Sequence, residues 1–109
     1  MWWLINNKIT GLLGLATKAG KLTFGTESVK STIIKKQAKL VIVANDAADR
    51  TKKNFTLLCE ENKIPIRITQ NIETISQSIG QVNKAVISIK DKNFSEGLIK
   101  IIDGGDTIG

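Results

Sequence analysis

The stretch LVIVA, at Leu40–Ala44, is apolar at every position. An amphipathic helix or a strand with one wet face would place polar residues at regular intervals within such a run. An unbroken apolar run of this length is typical of a strand that is covered on both faces. We therefore predict a central strand at Leu40–Ala44, in a sheet with helices on both sides.

The segments on either side of this strand have helical spacing. One helix is predicted to begin after Gly25, with Thr26 as its N-cap and Glu27 in its first turn, where the helix dipole favours a carboxylate. A second helix is predicted from about Asp49 to Asn62. The predicted inward-facing residues are Val29, Ile33 and Ile34 in the first helix, and Thr51, Phe55, Leu58 and Cys59 in the second.

The rest of the chain continues the alternation of helices and strands. A helix is predicted from about Asn6 to Ala19, followed by a short link or strand at Lys21–Phe24. After residue 62 the pattern predicts a strand at Ile64–Ile68, a helix marked by Ile72, Ile75 and Ile79 with Asn71 as cap, a strand at Ala85–Ile89 and a last helix ending at Asp103-Gly104-Gly105. Because such alternation requires crossover connections, we predict one α/β domain, a three-layer α/β/α sandwich with a mostly parallel sheet.

Composition restricts the classes of function. The 109 residues suffice for one domain, and a net charge of +6 favours a polyanionic partner, most commonly nucleic acid. Histidine is absent and Cys59 is the single cysteine, so the usual general base is missing and we expect neither an enzyme, a metal site nor a cofactor. No apolar run approaches the ~20 residues that span a bilayer, so we expect no membrane contact and a cytoplasmic protein.

A glycine- and lysine-rich stretch follows the first predicted helix. It does not match a nucleotide-binding P-loop, because Ala19 stands where the second glycine belongs and Leu22 where the hydroxyl belongs. We predict instead that the unpaired N–H groups after Gly25 receive a phosphate or a base edge. Lys18, Lys21 and Lys30 are expected to flank that helix start.

Several motifs occur in an order that resembles the ribosomal protein L7Ae and L30e family, in particular its short bacterial, kink-turn-binding members. They are Ala19-Gly20-Lys21, Phe24-Gly25-Thr26, the segment AKLVIVANDA at residues 38–47, LLCEE at 57–61, Ile64-Pro65, Ile79-Gly80 and IDGGD at 102–106. Together they cover about residues 6–106. Many members read Gly-x-Asn-Glu-x-x-Lys at the second helix, where this chain reads GTESVKS at residues 25–31.

The resemblance implies an α/β/α sandwich that binds RNA, typically a kink-turn, through three segments. These are the helix start with Gly25, Thr26, Glu27, Ser28 and Ser31, the loop Asn45–Asp49 with Asp46 and Ala47, and the loop with Gln81, Val82, Asn83 and Lys84. Base contacts are expected from Glu27, Ser28 and Asn45, and phosphate contacts from Lys21, Lys30 and Lys84. The implied partners are ribosomal RNA or another structured RNA, and the ribosome.

Other interpretations remain open at this point. Glu27 could serve only the helix dipole, and Asp46 could only cap the third helix. Trp2 and Trp3 could stack on a base, pack on the domain or contact a second copy. A protein-interaction module on the same fold is the alternative to a non-catalytic RNA-binding protein, and the oligomeric state stays open.

Overall fold

The backbone of residues 2–104 and the side chains of residues 8–104 are described by a computed structural model. The elements, in chain order, are α1 (Trp2–Lys18), β1 (Leu22–Phe24), α2 (Thr26–Ile34), β2 (Leu40–Val43), α3 (Asp49–Asn62), β3 (Ile66–Ile68), α4 (Ile72–Ser78), β4 (Val86–Ile89) and α5 (Lys92–Gly104). The alternation predicted from the sequence is confirmed. The side chains of Trp2 and Trp3, and residues 105–106 of the IDGGD motif, lie outside the described residues.

Strands β2 and β4 form the centre of the sheet, and all four residues of each strand are buried. Helix α2 packs against α3, while α1 contacts α4 and α5, so helices form a layer on each side of the sheet. The core is filled by Ile, Leu, Val and Ala with Phe55. The three-layer sandwich predicted from LVIVA is therefore confirmed.

The sheet is mixed, so the prediction of a mostly parallel sheet holds for the direction of three of the four strands but not for the way they pair. The strand order is β1-β4-β2-β3, in which β2 pairs parallel with β3 but β4 pairs antiparallel with both β1 and β2. Strands β1, β2 and β3 do run in one direction, as their crossover helices require. Strand β4 inserts between β1 and β2 in the opposite direction, because α4 has only seven residues and the chain after it returns to the end of the sheet where β3 finished.

Two details of the helices differ from the sequence predictions. The N-cap of α2 is Gly25, so Thr26 is already helical. Ile34 is 63% exposed rather than buried, because it lies about 100° around the helix from Ile33, which faces the core. The predicted cap of α4 is confirmed, since Asn71 Oδ1 accepts a hydrogen bond from the Thr74 N–H at 2.7 Å.

Candidate nucleic-acid interface

Backbone hydrogen bonds bring the three predicted segments to one end of the sheet. The Gly25 N–H donates to the Val86 carbonyl at 3.1 Å, and the Ala44 N–H donates to the Ala85 carbonyl at 2.8 Å. Strands β1 and β2 therefore finish where β4 begins. We call this end of the sheet the loop end: it comprises the α2 start (residues 25–31), the loop 45–49 and the loop 81–84.

The start of α2 is open, as predicted. The first α-helical bond runs from the Val29 N–H to the Gly25 carbonyl, so the N–H groups of Thr26, Glu27 and Ser28 lie before the first closed turn. Their side chains are exposed, and no side chain among residues 8–104 caps them. Gly25 has φ +92° and ψ 150°, a conformation that only glycine adopts without strain.

The expected ring of lysines around this helix start is only partly present. Lys84 lies beside it, with its Nζ 5.3 Å from the centroid of the Phe24 ring. Lys30 is half-buried in the second turn and lines a shallow groove of about 320 Å³ together with Glu27. These two lysines come from elements that meet at the loop end.

The prediction that Lys18 and Lys21 flank the α2 start is wrong. Residues 22–24 form a strand, and an extended chain separates Lys21 from Gly25 by roughly 13 Å at ~3.3 Å per residue. The Lys21 carbonyl instead accepts a hydrogen bond from the Lys90 N–H at 2.8 Å, at the opposite end of the sheet. Lys21 and Gly25 are close in sequence but lie at opposite ends of the sheet, because β1 runs from one end to the other.

Asp46 has a structural partner that the sequence did not suggest. Its Oδ1 accepts a hydrogen bond from the Ile72 N–H at 2.8 Å, at the start of α4. It does not cap α3, whose N-cap is Ala48. Its neighbour Ala47 is 6% exposed, so the loop 45–49 presents Asn45 and Asp46, rather than Ala47, at the surface.

The loop 81–84 is held by Ser76, a residue that sequence reasoning missed. The Ser76 hydroxyl is buried, accepts from the Lys84 N–H at 2.8 Å and donates to the Lys84 carbonyl at 3.3 Å. The Ser76 carbonyl also accepts from the Gln81 N–H at 2.8 Å. A serine next to Ile75, within the apolar stripe of α4, was the signal available in the sequence.

Helix α4 thus anchors both loops, and an open groove of about 440 Å³ lies between them. Its lining includes Asp46, Ile72, Ser76, Gln77, Val82 and Asn83. Val82 is 80% exposed and Asn83 has φ +57°, so the loop projects an apolar tip beside an amide. Backbone N–H donors, the Glu27 carboxylate, amides and an apolar tip are groups that contact base edges and unstacked bases.

Other classes of site find little support in the described part of the chain. Within it, no three His, Cys, Asp or Glu side chains are grouped so that they could hold a metal ion. Burial raises the pKa of the Cys59 thiol to about 11, which keeps it protonated at neutral pH. None of the helices in that part of the chain is both long enough and apolar enough to cross a membrane.

Comparisons with known proteins show the family to which the chain is similar. A model of the family described as "Ribosomal protein L7Ae/L30e/S12e/Gadd45 family" matches residues 7–99. The "RNA-binding protein YlxQ" of Bacillus subtilis (strain 168) is 34% identical over 92 residues, which cover 84% of this chain and 92% of that protein. The "Large ribosomal subunit protein eL8" of Thermoplasma volcanium is 28% identical over 99 residues, covering 90% and 82%.

A solved structure has the same fold. It is a protein of unknown function from Bacillus halodurans C, with a TM-score of 0.85 and 36% sequence identity. The superposition covers 88% of this chain and 97% of that one. The fold is therefore shared over most of the length of both proteins.

Proposed function

The chain belongs to the ribosomal protein L7Ae/L30e/S12e/Gadd45 family, and on this basis we propose that it is a non-catalytic protein that binds structured RNA through its loop end. The resemblance noted in the sequence is confirmed by the family model and by the relatives. The single observation that supports the loop end as the site is the convergence there of the open α2 start and the two loops held by α4.

The proposed RNA is ribosomal RNA or another folded RNA with a kink-turn. Relatives named for RNA binding and for the large ribosomal subunit support this choice, and we propose a cytoplasmic location, where ribosomes work. In a kink-turn, guanine edges of sheared G·A pairs become accessible, and an unpaired base is splayed out at the bend. The loop end offers a partner for each of these features.

Glu27 is the proposed base reader. Its exposed carboxylate stands in the first turn of α2 and accepts from the N1 and N2 donors of guanine. Ser28 and Asn45 supply further hydrogen bonds to base edges, while Thr26 and Ser31 border the same surface. The exposed Val82 packs against an unstacked base.

The remaining residues of the loop end have positioning or phosphate roles in this proposal. Lys84 and Lys30 contact phosphates, together with the N–H groups that follow Gly25. Asp46 and Ser76 act through the backbone, because each binds the main chain of another element. Asn83 holds the turn of its loop in a left-handed conformation and presents its amide to the RNA.

The proposal is tested by comparing two RNAs, one containing a kink-turn and one a plain duplex of equal length. Glu27→Ala removes the base-reading carboxylate, and Glu96→Ala is the matched control, since Glu96 is an exposed carboxylate on α5, outside the loop end. We expect Glu27→Ala to weaken kink-turn binding about 10-fold to 100-fold, the range for one good base contact, with little change on the duplex. Equal losses on both RNAs would contradict base reading by Glu27.

The protein-interaction module is the other outcome of this comparison. It predicts that the full chain shows no preference for the kink-turn over the duplex. It also predicts partners that remain bound after nuclease treatment of a cell extract. RNA binding through the loop end predicts the reverse on both counts.

A further inference from the structure

The end of the sheet opposite the loop end carries most of the net positive charge. Residues 18–21, 35–39, 60–63 and 90–92 contain eight lysines and three carboxylates, a surplus of five positive charges in a chain whose net charge is +6. The residues of the loop end contain two lysines and three carboxylates, a surplus of one negative charge. The charge that suggested a polyanionic partner therefore lies mostly away from the proposed recognition site.

Backbone pairing lines these lysines up across the sheet. The Lys90 N–H donates to the Lys21 carbonyl at 2.8 Å, and the Lys39 N–H donates to the Ile89 carbonyl at 2.7 Å. One strand further, the Val41 N–H donates to the Pro65 carbonyl at 3.0 Å, two residues after Lys63. Four strands spaced ~4.8 Å apart give a row roughly 15 Å long. We call Lys18, Lys21, Lys35, Lys39, Lys63 and Lys90 the lysine rim.

The rim lysines are available to a partner. All are exposed except the half-buried Lys90. Within residues 8–104 none of the six forms an ion pair with a carboxylate, whereas the neighbouring Lys92 pairs with Glu96 at 4.0 Å. Lys36 at this end donates to the Asn62 side-chain oxygen at 3.5 Å, a neutral partner.

Helix dipoles account for only half of the rim. Lys18, Lys35 and Lys63 lie at the ends of α1, α2 and α3, where a cation is favourable. Lys21, Lys39 and Lys90 instead flank strands, which have little net dipole. Like charges in a row repel one another when they have no ion-pair partners. These three lysines therefore do not stabilise the fold.

We propose that the lysine rim is a second RNA-binding surface, which contacts the phosphate backbone of a segment distinct from the one held at the loop end. Lysine is a point charge on a flexible stem and suits phosphate contacts rather than the planar readout of a base. The rim therefore adds affinity without sequence selectivity. Two RNA segments bound at opposite ends of one sheet would be held together by this small domain.

The test uses the full chain and a plain RNA duplex of about 20 base pairs. The rim variant is the double substitution Lys21→Gln and Lys39→Gln. The control is the double substitution Lys53→Gln and Lys100→Gln, which removes one exposed lysine from α3 and one from α5 and changes the net charge by the same amount. Affinity is measured between ~50 and ~200 mM salt. Each lost phosphate contact lowers the salt slope by about 0.9, so we expect the rim variant to lower it by about 2 and the control by much less.

Equal slope changes in the two variants would overturn the proposal, because net charge alone would then explain binding. No change in the rim variant would overturn it as well. Vesicles with anionic lipid provide a further arm. Binding to vesicles that depends on Lys21 and Lys39, with RNA binding unaffected by them, would assign the rim to a membrane surface instead.

Different results would contradict the proposal for the lysine rim and the proposal for the loop end. The rim variant should still prefer a kink-turn RNA over the duplex, since its loop end is intact. Glu27→Ala should lose that preference and keep the normal salt slope on the duplex. Thermal melting of each variant, expected to stay close to that of the parent protein, shows that the exposed substitutions leave the fold intact.

Discussion

The two ends of the sheet differ in charge and in the contacts that hold their polar groups. The loop end is nearly neutral and is built from a helix start and two loops, which hydrogen bonds from Asp46 and Ser76 fix in place. The lysine rim is strongly positive, and its side chains are exposed apart from the half-buried Lys90 and form no ion pair with the described carboxylates. The difference separates two tasks, because fixed polar groups read bases while mobile cations neutralise phosphates.

The fold itself produces this separation of charge. Helices α2 and α3 both begin at the loop end and finish at the rim. The positive ends of their dipoles favour Glu27 and Asp49 in the first turns, and the negative ends favour Lys35 and Lys63 at the C-caps. A basic net charge therefore indicates a nucleic-acid partner without locating the surface that recognises it.

The largest expected effect comes from breaking the loop end at Gly25. Gly25→Ala forces a side chain into a backbone conformation at φ +92° that costs about 1–3 kcal/mol, although the space around it is open. We expect both a lower free energy of unfolding and loss of preference for kink-turn RNA. Urea denaturation and binding to the two RNAs measure these effects.

Gly11→Ala is the matched control for Gly25→Ala. Gly11 is exposed within α1, and a Cβ there meets nothing within 4 Å. We expect it to stabilise the protein by roughly 0.5–1 kcal/mol and to leave both RNAs bound as before. If Gly25→Ala behaved like Gly11→Ala, the account of the α2 start would be wrong.

The next effect comes from releasing the loop 81–84. Ser76→Ala leaves the Lys84 N–H without its side-chain partner, which should lower the free energy of unfolding by about 1–3 kcal/mol. We also expect weaker binding to kink-turn RNA, with an unchanged salt slope on the duplex. Hydrogen exchange of the Lys84 amide reports the loosening directly.

Ser78→Ala separates this effect from a general weakening of α4. The Ser78 hydroxyl donates to the Thr74 carbonyl within the same helix, and that contact does not involve the loop. We expect a smaller loss of stability and no change in the choice between RNAs. Loss of that choice in Ser78→Ala would show that loop anchoring is not the cause.

The smallest effect belongs to a contact that serves neither surface. The Arg67 guanidinium binds both carboxylate oxygens of Asp103 at 2.8 Å, and this hydrogen bonding lowers the pKa of Asp103 below its ordinary value of 3.8. Because the folded-state pKa is depressed, its contribution to stability is present above pH 4 and is lost as the pH falls through the folded value.

Asp103→Asn should therefore reduce stability slightly at pH 7 and make less difference near pH 3. The pair is exposed to solvent and salt, so the effect is small. Thermal melting at the two pH values measures it, and binding to both RNAs should be unchanged. A larger stability difference at pH 3 than at pH 7 would have the wrong sign for this explanation.

The sequence predicted those features that depend on local pattern. The unbroken apolar run at residues 40–44, the limits of α3 and the cap at Asn71 were each visible in a few neighbouring residues. The parallel directions of β1, β2 and β3 followed from their crossover helices. The α2 start was located by its glycine.

Features that depend on strand order were not predictable in this way. The pattern of β4 shows that it is buried but not that it lies between β1 and β2 in the reverse direction. Lys21 is only four residues from Gly25 in the sequence, but strand β1 lies between them and places them at opposite ends of the sheet. The role of Ser76 could be identified only from the structure, because its hydrogen-bond partner Lys84 is eight residues away in the sequence.

The central claim is that recognition lies at the weakly charged end of the sheet. Mapping amide chemical shifts on addition of a kink-turn RNA at ~200 mM salt tests it most directly, because contacts with phosphate alone weaken steeply at that concentration. We expect the largest shifts at residues 26–28, Asn45 and residues 82–84. Largest shifts at Lys21, Lys39 and Lys90, with the residue 26–28 amides unmoved, would contradict it.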